Sequence, residues 1–363
     1  MRMLSSLRAL SPVLLGLLFS LSASAQMTFG GASAPEEPEL SLTGRIHFNI
    51  NTNDYAKTRA FYERLGFVNA IGPFPETNTL AMAHSMGMDA PYRMYAEIIY
   101  LGPNDIDPTR LHQPTGRMID LIHWREPENV SPAYSAVNRL GIAKVVLAST
   151  NLARDLARMA EAGYEPIDTP AETANGEPFA VLRDPAGTFV EIRERLASSD
   201  STAEPLGETR ISAIDHLMIN VSDLKRSLGF YKSLGFEADA TVNRTSSVAE
   251  AKAYGLASPF RVREALLQHR GDGSRLQLTQ WLTPSDLTPP HGLPINNPGI
   301  HRINYASADI DADVALLKKR GVPLVSPVVR CCDGEQSTMG IAVFKDPDGI
   351  FLQMLGAVAP RGN

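Results

Sequence analysis

Imidazole and carboxylate side chains recur in this chain at matching places. His47 opens a segment that runs through Asp54, and His216 opens a similar segment through Asp223; over residues 47–67 and 216–236, nine of 21 ungapped positions are identical. Imidazole is both a common metal ligand and an acid–base group near neutral pH. Side chains two apart on a strand share a face. On that rule His47, Asn49 and Asn51 face one way, while Phe48 and Ile50 face the other and can pack on a helix. Glu191 stands opposite Val190 and Ile192, and Gln353 opposite Leu352 and Met354, so these polar groups also lie on faces that a helix does not cover. His84, His112, His269 and His291 fall in or near connecting segments and read as solvated. Cys331 and Cys332 are adjacent, with Cα atoms about 3.8 Å apart across a trans peptide, shorter than ordinary disulfide geometry. Free thiols or a strained bridge both fit, and neither suggests catalysis. Phosphate-loop, Gly-x-Ser-x-Gly and His-Glu-x-x-His patterns are absent.

The elements that position these residues come in repeats. The chain has 363 residues, 44% hydrophobic, with 40 acidic against 34 basic side chains and a formal charge of −6. That material suffices for more than one core. The charge, with no long basic run, excludes the electrostatic footprint of nucleic-acid binding. Residues 1–25 carry Arg2 and Arg8, an apolar run and Ala23-Ser24-Ala25, the pattern of a cleaved export signal. The apolar run is shorter than the ~20 residues needed to span a bilayer. The expectation is an exported, periplasmic or secreted protein with no membrane span after processing, and with residues 26–42 as a flexible tether. A second matching pair, residues 179–192 and 341–354, shares Ala-Val, Asp-Pro, Gly and Phe in register. The chain therefore reads as a duplication: a first domain at 43–196, a linker at 197–210 and a second domain at 211–358. Each domain is itself double. A strand, a cap, a helix and a stopping glycine recur at 47–66, 144–163, 216–235 and 301–321, followed by further strands, which gives an α+β class.

The anchors Phe61-Tyr62-Glu-Arg-Leu-Gly66-Phe67, Phe230-Tyr231-Lys-Ser-Leu-Gly235-Phe236, Asp184-Pro185-Ala-Gly187 and Asp346-Pro347-Asp-Gly349 together resemble the vicinal oxygen chelate superfamily. This group includes glyoxalase I, bleomycin-resistance proteins and extradiol dioxygenases. The resemblance spans nearly all of 44–356 and implies two tandem domains, each of paired βαβββ modules curling into a cup. It implies a divalent ion held by one side chain from the first and one from the last strand of each paired module. Carried over the second domain, that pattern lands on His216, Gln277, His301 and Gln353. In the first domain it lands on His47, Asp120, Lys144 and Glu191, a degenerate site, because a protonated lysine has no lone pair to offer. His123, by parity, points away from Asp120. Lys144 reads as the cation of a buried cluster that replaces a lost metal, or as a fixed cation or Schiff-base amine toward a substrate. His216 and His301 fall on equivalent strands and fit either structural hydrogen bonds or a divalent metal (zinc, manganese, nickel or iron), at most one per chain. No nucleotide cofactor is implied. Trp124 and Trp281 read as cup walls, and 74–91 and 243–259 as lids.

Two functions follow from the resemblance. One is metal-assisted lyase, isomerase or dioxygenase chemistry on a small oxygenated or aromatic molecule, centred in the second domain. The alternative is a non-catalytic binder or sequestering protein of the bleomycin-resistance type, which needs shape and apolar walls but no complete ligand set. The partner in either case is a small molecule, not nucleic acid.

Overall fold

The computed structural model describes residues 39–195, 208–331 and 337–359. The export signal, most of the tether, the linker segment 196–207 and Cys332 lie outside the described residues.

Four modules follow one another. The first holds β1 (Leu42–Asn51), α1 (Tyr55–Arg64), β2 (Asn69–Ile71), α2 (Leu80–Ser85), β3 (Arg93–Tyr100) and β4 (Met118–Glu126). The second holds β5 (Gly141–Ser149), α3 (Leu152–Ala160), β6 (Ala171–Glu172), β7 (Pro178–Arg183) and β8 (Phe189–Glu194). The third holds β9 (Ile211–Asn220), α4 (Leu224–Ser233), β10 (Phe236–Ala238), β11 (Val242–Thr245), α5 (Val248–Ala253), β12 (Arg261–His269) and β13 (Arg275–Thr283). The fourth holds β14 (Gly299–Ser307), α6 (Ile310–Lys319), β15 (Val329–Arg330), β16 (Met339–Lys345) and β17 (Phe351–Ala357).

Local chemistry sets the helix ends. The carboxylate of Asp54 accepts from the backbone N–H of Lys57, and Asp223 does the same for Arg226, so both helices start on the expected caps. Just past their ends Gly66 and Gly235 take φ of +94° and +95°, a left-handed conformation that a side chain would strain.

The modules form two curled sheets, as the α+β two-cup reading expects, but the pairing of modules crosses the duplication. One sheet has the order β15-β16-β17-β14-β1-β4-β3-β2, joining the first module to the fourth. The other has the order β10-β12-β13-β9-β5-β8-β7-β6, joining the third to the second. β1 meets β14 and β5 meets β9, each pair antiparallel. The two modules within each repeat thus contribute to different sheets. Internal similarity identifies what a module is; it carries no information on which strand edges meet.

The helix-side faces of both sheets share one core, which includes Phe48, Ile50, Phe61, Leu121, Val145, Leu182, Leu217, Tyr231, Leu278 and Leu352. Within each repeat a buried tyrosine ties its two modules together across that core: Tyr62 Oη lies 2.9 Å from Asp184 Oδ2, and Tyr231 Oη 3.2 Å from Asp346 Oδ2. The Asp-Pro-x-Gly aspartates are therefore structural. Their side chains also take backbone N–H groups of their own turns, at Thr188 and Ile350.

Candidate functional site

Strand parity places the polar floor of each cup as expected, and the sheet topology regroups it. His216 and Gln277 sit in one sheet, while His301 and Gln353 sit in the other, so the anticipated metal set of the second domain is not brought together. The degenerate set is divided likewise: His47 and Asp120 lie in the sheet of β1 and β14, and Lys144 and Glu191 in the sheet of β5 and β9. Strand register then shows the true equivalents. Asp120 lies opposite Asn49 as Gln277 lies opposite Met218, and Gln353 opposite Asn304 as Glu191 opposite Val146. Lys144 pairs with Met218, and its counterpart opposite Asn49 is Arg302, not His301.

In the β1/β14 cup, Asn49 Nδ2 donates to Asp120 Oδ2 at 2.5 Å and Asn304 Nδ2 donates to Asn49 Oδ1 at 2.5 Å. Arg302 Nε donates to Gln353 Oε1 at 2.9 Å, and His47 Nε2 stands 3.8 Å from Asp120 Oδ2. Burial, with the Arg302 cation nearby, brings His47 down to about 3, and burial raises Asp120 to about 6. His301 is buried one step aside, stacked on Phe351 with ring centroids 5.1 Å apart. On the concave face Met82, Met86 and Met88, from α2 and the turn after it, pack with Tyr92, Trp124 and Phe351. The expected lid over this cup is thus an apolar plug.

The β5/β9 cup differs in having room. A cavity of about 170 Å³ opens between the sheet and α5, lined by Lys144, Arg193, Met218, Arg244, Tyr254, Phe260, Val262, Glu264, Gln277, Thr279 and Trp281 among others. The Lys144 ammonium contacts the Glu191 carboxylate, and its Nζ lies 2.6 Å from Tyr254 Oη. Tyr254 donates in turn to Glu191 Oε2 at 2.7 Å. The other oxygen of Glu191 takes Arg193 Nε at 2.8 Å. One carboxylate therefore serves two cations. Burial pushes Glu191 up, but Arg193 and Lys144 outweigh it and hold it ionised well below the usual range. Burial drives Lys144 down from its ordinary value, against the pull of Glu191. Burial and the neighbouring Glu191 charge keep the Tyr254 phenol protonated.

His216 is fully engaged. Its Nδ1 lies 2.6 Å from Asp215 Oδ2 and its Nε2 lies 3.0 Å from Gln277 Oε1, while Gln277 Nε2 donates to Glu264 at 2.8 Å. Thr279 is the exception: its side chain is buried and lines the cavity, yet its hydroxyl has no partner. A buried hydroxyl without a partner is costly, and a ligand oxygen would relieve it.

Neither cup fits a divalent ion with the residues as they stand. A cation already sits at the ligand position of each, Lys144 in one and Arg302 in the other, and a second positive centre there would face direct repulsion. Among the described residues no three His, Cys, Asp or Glu side chains converge as a ligand set.

The sequence reading missed Arg193, Arg302, Tyr254 and Thr279. Arg193 was legible as two residues beyond Glu191 on one face, and Arg302 from setting Gly141-Ile-Ala-Lys144 on Gly299-Ile-His-Arg302. Tyr254 arrives from a lid helix and gave no signal. His269 corrects another expectation: it is buried, 3.3 Å from Asp272, and packs edge-on to Phe236. Trp124 and Trp281 do form cup walls, each donating to the Oδ1 of the equivalent Asn51 or Asn220, at 3.0 and 2.8 Å.

Comparison with known proteins supports this geometry at the level of family and fold. The model of the Glyoxalase/Bleomycin resistance protein/Dioxygenase superfamily matches residues 44–192 and 213–354. Glyoxalase I from Zea mays superposes with a TM-score of 0.55 at 16% identity, covering 86% of this chain and 92% of the maize chain. A Bacillus subtilis protein described provisionally as a dioxygenase gives a TM-score of 0.52 at 13% identity, covering 88% of this chain and 87% of its own. No curated protein sequence matches.

Proposed function

Starting from the fact that this chain belongs to the glyoxalase/bleomycin resistance protein/dioxygenase superfamily, we propose that its β5/β9 cup binds a small oxygen-bearing molecule with an apolar or aromatic body, without a divalent metal at the floor. Members of the superfamily typically use such an ion, and the fold binds small molecules. Here the observation that carries the reading is the cavity built directly over Lys144, which supplies a fixed cation where the ion would lie. Phe260, Val262, Met218 and Trp281 give the apolar wall. Lys144 and the unpartnered Thr279 hydroxyl give the ligand's oxygen its partners. Arg193 pairs with Glu191 and Glu177, and Arg244 with Glu250 and Glu264, so the cations around the cavity are matched by carboxylates and the cavity favours a neutral or singly charged ligand over a polyanion.

This reading departs from metal-assisted lyase, isomerase or dioxygenase chemistry because the four side chains expected to hold the ion are divided between two sheets. It is nearer to the binder alternative. Trp281 lies in the cavity wall and provides the test: a panel of small aromatic aldehydes, ketones and carboxylates is titrated against the full chain in a Trp124→Phe background, with a chelator present. Saturable quenching of Trp281 that the chelator leaves unchanged is the expected result. Quenching only after zinc or manganese is added would overturn the reading.

The pattern in residues 1–25 adds export to this proposal. Among the described residues no helix is long and apolar enough to cross a membrane. Recovery of a mature chain beginning at Gln26 from the native host is the expected result. An intact residue 1–25 segment on the recovered protein would remove export from the proposal.

A further inference from the structure

Lys144 is the one lysine buried among the described residues, 2% exposed, and it is also a wall of the cavity. Lys57, Lys225, Lys232, Lys252, Lys318 and Lys319 are exposed, and Lys345 is half-buried. Its surroundings are unusual for a purely structural ammonium. The single carboxylate it touches, Glu191, is already paired with Arg193, and Tyr254 bridges Lys144 to Glu191 at 2.6 and 2.7 Å. Arg244 stands nearby with Glu250 and Glu264 as its own partners. Lys144 therefore shares its one contacting carboxylate with a second cation, Arg193, in a desolvated cluster. Release of one proton leaves a neutral amine beside an Arg193–Glu191 pair that balances without it.

We propose that Lys144 is a nucleophilic amine that condenses with the carbonyl carbon of a small aldehyde or ketone held in this cavity, forming an imine. The proposal rests on the binding function proposed above and specifies the ligand's reactive group. The steps balance without any redox partner. The neutral amine forms a C–N bond to the carbonyl carbon, and the carbonyl oxygen takes a proton. Tyr254, in contact with both Nζ and the Glu191 carboxylate, is placed to carry that proton and to return one to the departing hydroxyl, which leaves as water. The overall change is ammonium plus carbonyl giving iminium plus water. The positive charge that Glu191 holds before reaction is thus restored at the same nitrogen after it, and the ion-pair network does not have to rearrange. Thr279 offers its unpartnered hydroxyl to the ligand oxygen in the same cavity. Burial lowers the proton affinity of the Lys144 amine, which supports the geometry.

The test is reductive trapping on the full chain. Protein is incubated with benzaldehyde and cyanoborohydride near neutral pH, digested and mapped by mass spectrometry. Benzylation of Lys144 should run about tenfold or more ahead of exposed Lys57, and benzyl alcohol, which fills the cavity without a carbonyl, should slow Lys144 alone. Tyr254→Phe should slow Lys144 by about tenfold while Lys57 is unaffected. Unmodified Lys144 with quenched Trp281 would overturn the amine chemistry and leave the binding function standing. Unmodified Lys144 with unquenched Trp281 would overturn both for this ligand class.

Discussion

Lys144 and Arg302 occupy the same position in the two sheets. Each follows a register shift in the inner strand of its module, Lys144 opposite Met218 and Arg302 opposite Asn49. Each reaches across the cup floor to the last-strand residue of its own module, Lys144 to Glu191 and Arg302 to Gln353. Both cups therefore carry a cation at a ligand position. Asp120 and Tyr92 act on Arg302 through their charge, whereas Lys144 is in direct contact with a carboxylate and a tyrosine, Glu191 and Tyr254, beside a cavity of about 170 Å³.

One carboxylate shared by two cations makes the cluster asymmetric. Glu191→Gln leaves Lys144 buried without the carboxylate it contacts, and Arg193 with only Glu177 at 3.6 Å, and should cost about 3–5 kcal/mol. Lys144→Met leaves a balanced Arg193–Glu191 pair and should cost about 1–2 kcal/mol. Denaturant unfolding of both variants checks the order. Equal losses would contradict the shared-carboxylate description.

The other cup makes a prediction about pH. Burial and Arg302 hold His47 near 3, against an ordinary 6.5. The unfolded chain binds more protons between those values, so the contribution of neutral His47 is complete above pH 6.5 and is lost as pH falls toward 3. Asp120, raised by burial to about 6, has the opposite sign, because the fold binds more protons there and gains stability as pH falls through 6. His47→Gln removes the first effect and keeps the second. Between pH 6.5 and 4 the variant should therefore lose less stability than the parent, by up to about 1.4 kcal/mol per pH unit. Parallel curves from urea midpoints across that range would show that His47 is not held neutral by the fold.

The crossed pairing predicts how the halves behave. Residues 39–196 alone would leave β1 without β14 and β5 without β9, two unpaired central edges. Expressed separately, each half should aggregate or self-associate. Expressed together, they should recover one soluble complex with native near-ultraviolet circular dichroism. Two independently soluble, monomeric halves would contradict the topology.

Much of this was legible in the residues, for reasons of local physics. Alternation put His47, Glu191 and Gln353 on the concave faces, and Asp54 and Gly66 marked a helix that forms where they say. The grouping of sites was not legible, because it depends on which strand edges meet, and β1 has no local signal that chooses β14 over β5. The repeated strand and helix order sets His301 in the place that Lys144 holds in the first domain. The register shift after Ile300 moves Arg302 to that position instead, and a one-residue slip changes which side chain reaches the floor. Tyr254 and Thr279 depend on a lid helix and a wall strand whose approach is a tertiary event.

A lysine stands where this fold would place an ion, and calorimetric titration of the full chain with zinc and manganese tests that most directly. The unmodified chain should show no tight site in the β5/β9 cup. Lys144→His, which sets a second imidazole beside His216, Glu191 and Gln277, should create one at least about tenfold tighter than any site in the parent. Stoichiometric binding by the unmodified chain at about micromolar affinity or better, abolished by Glu191→Gln, would contradict the account.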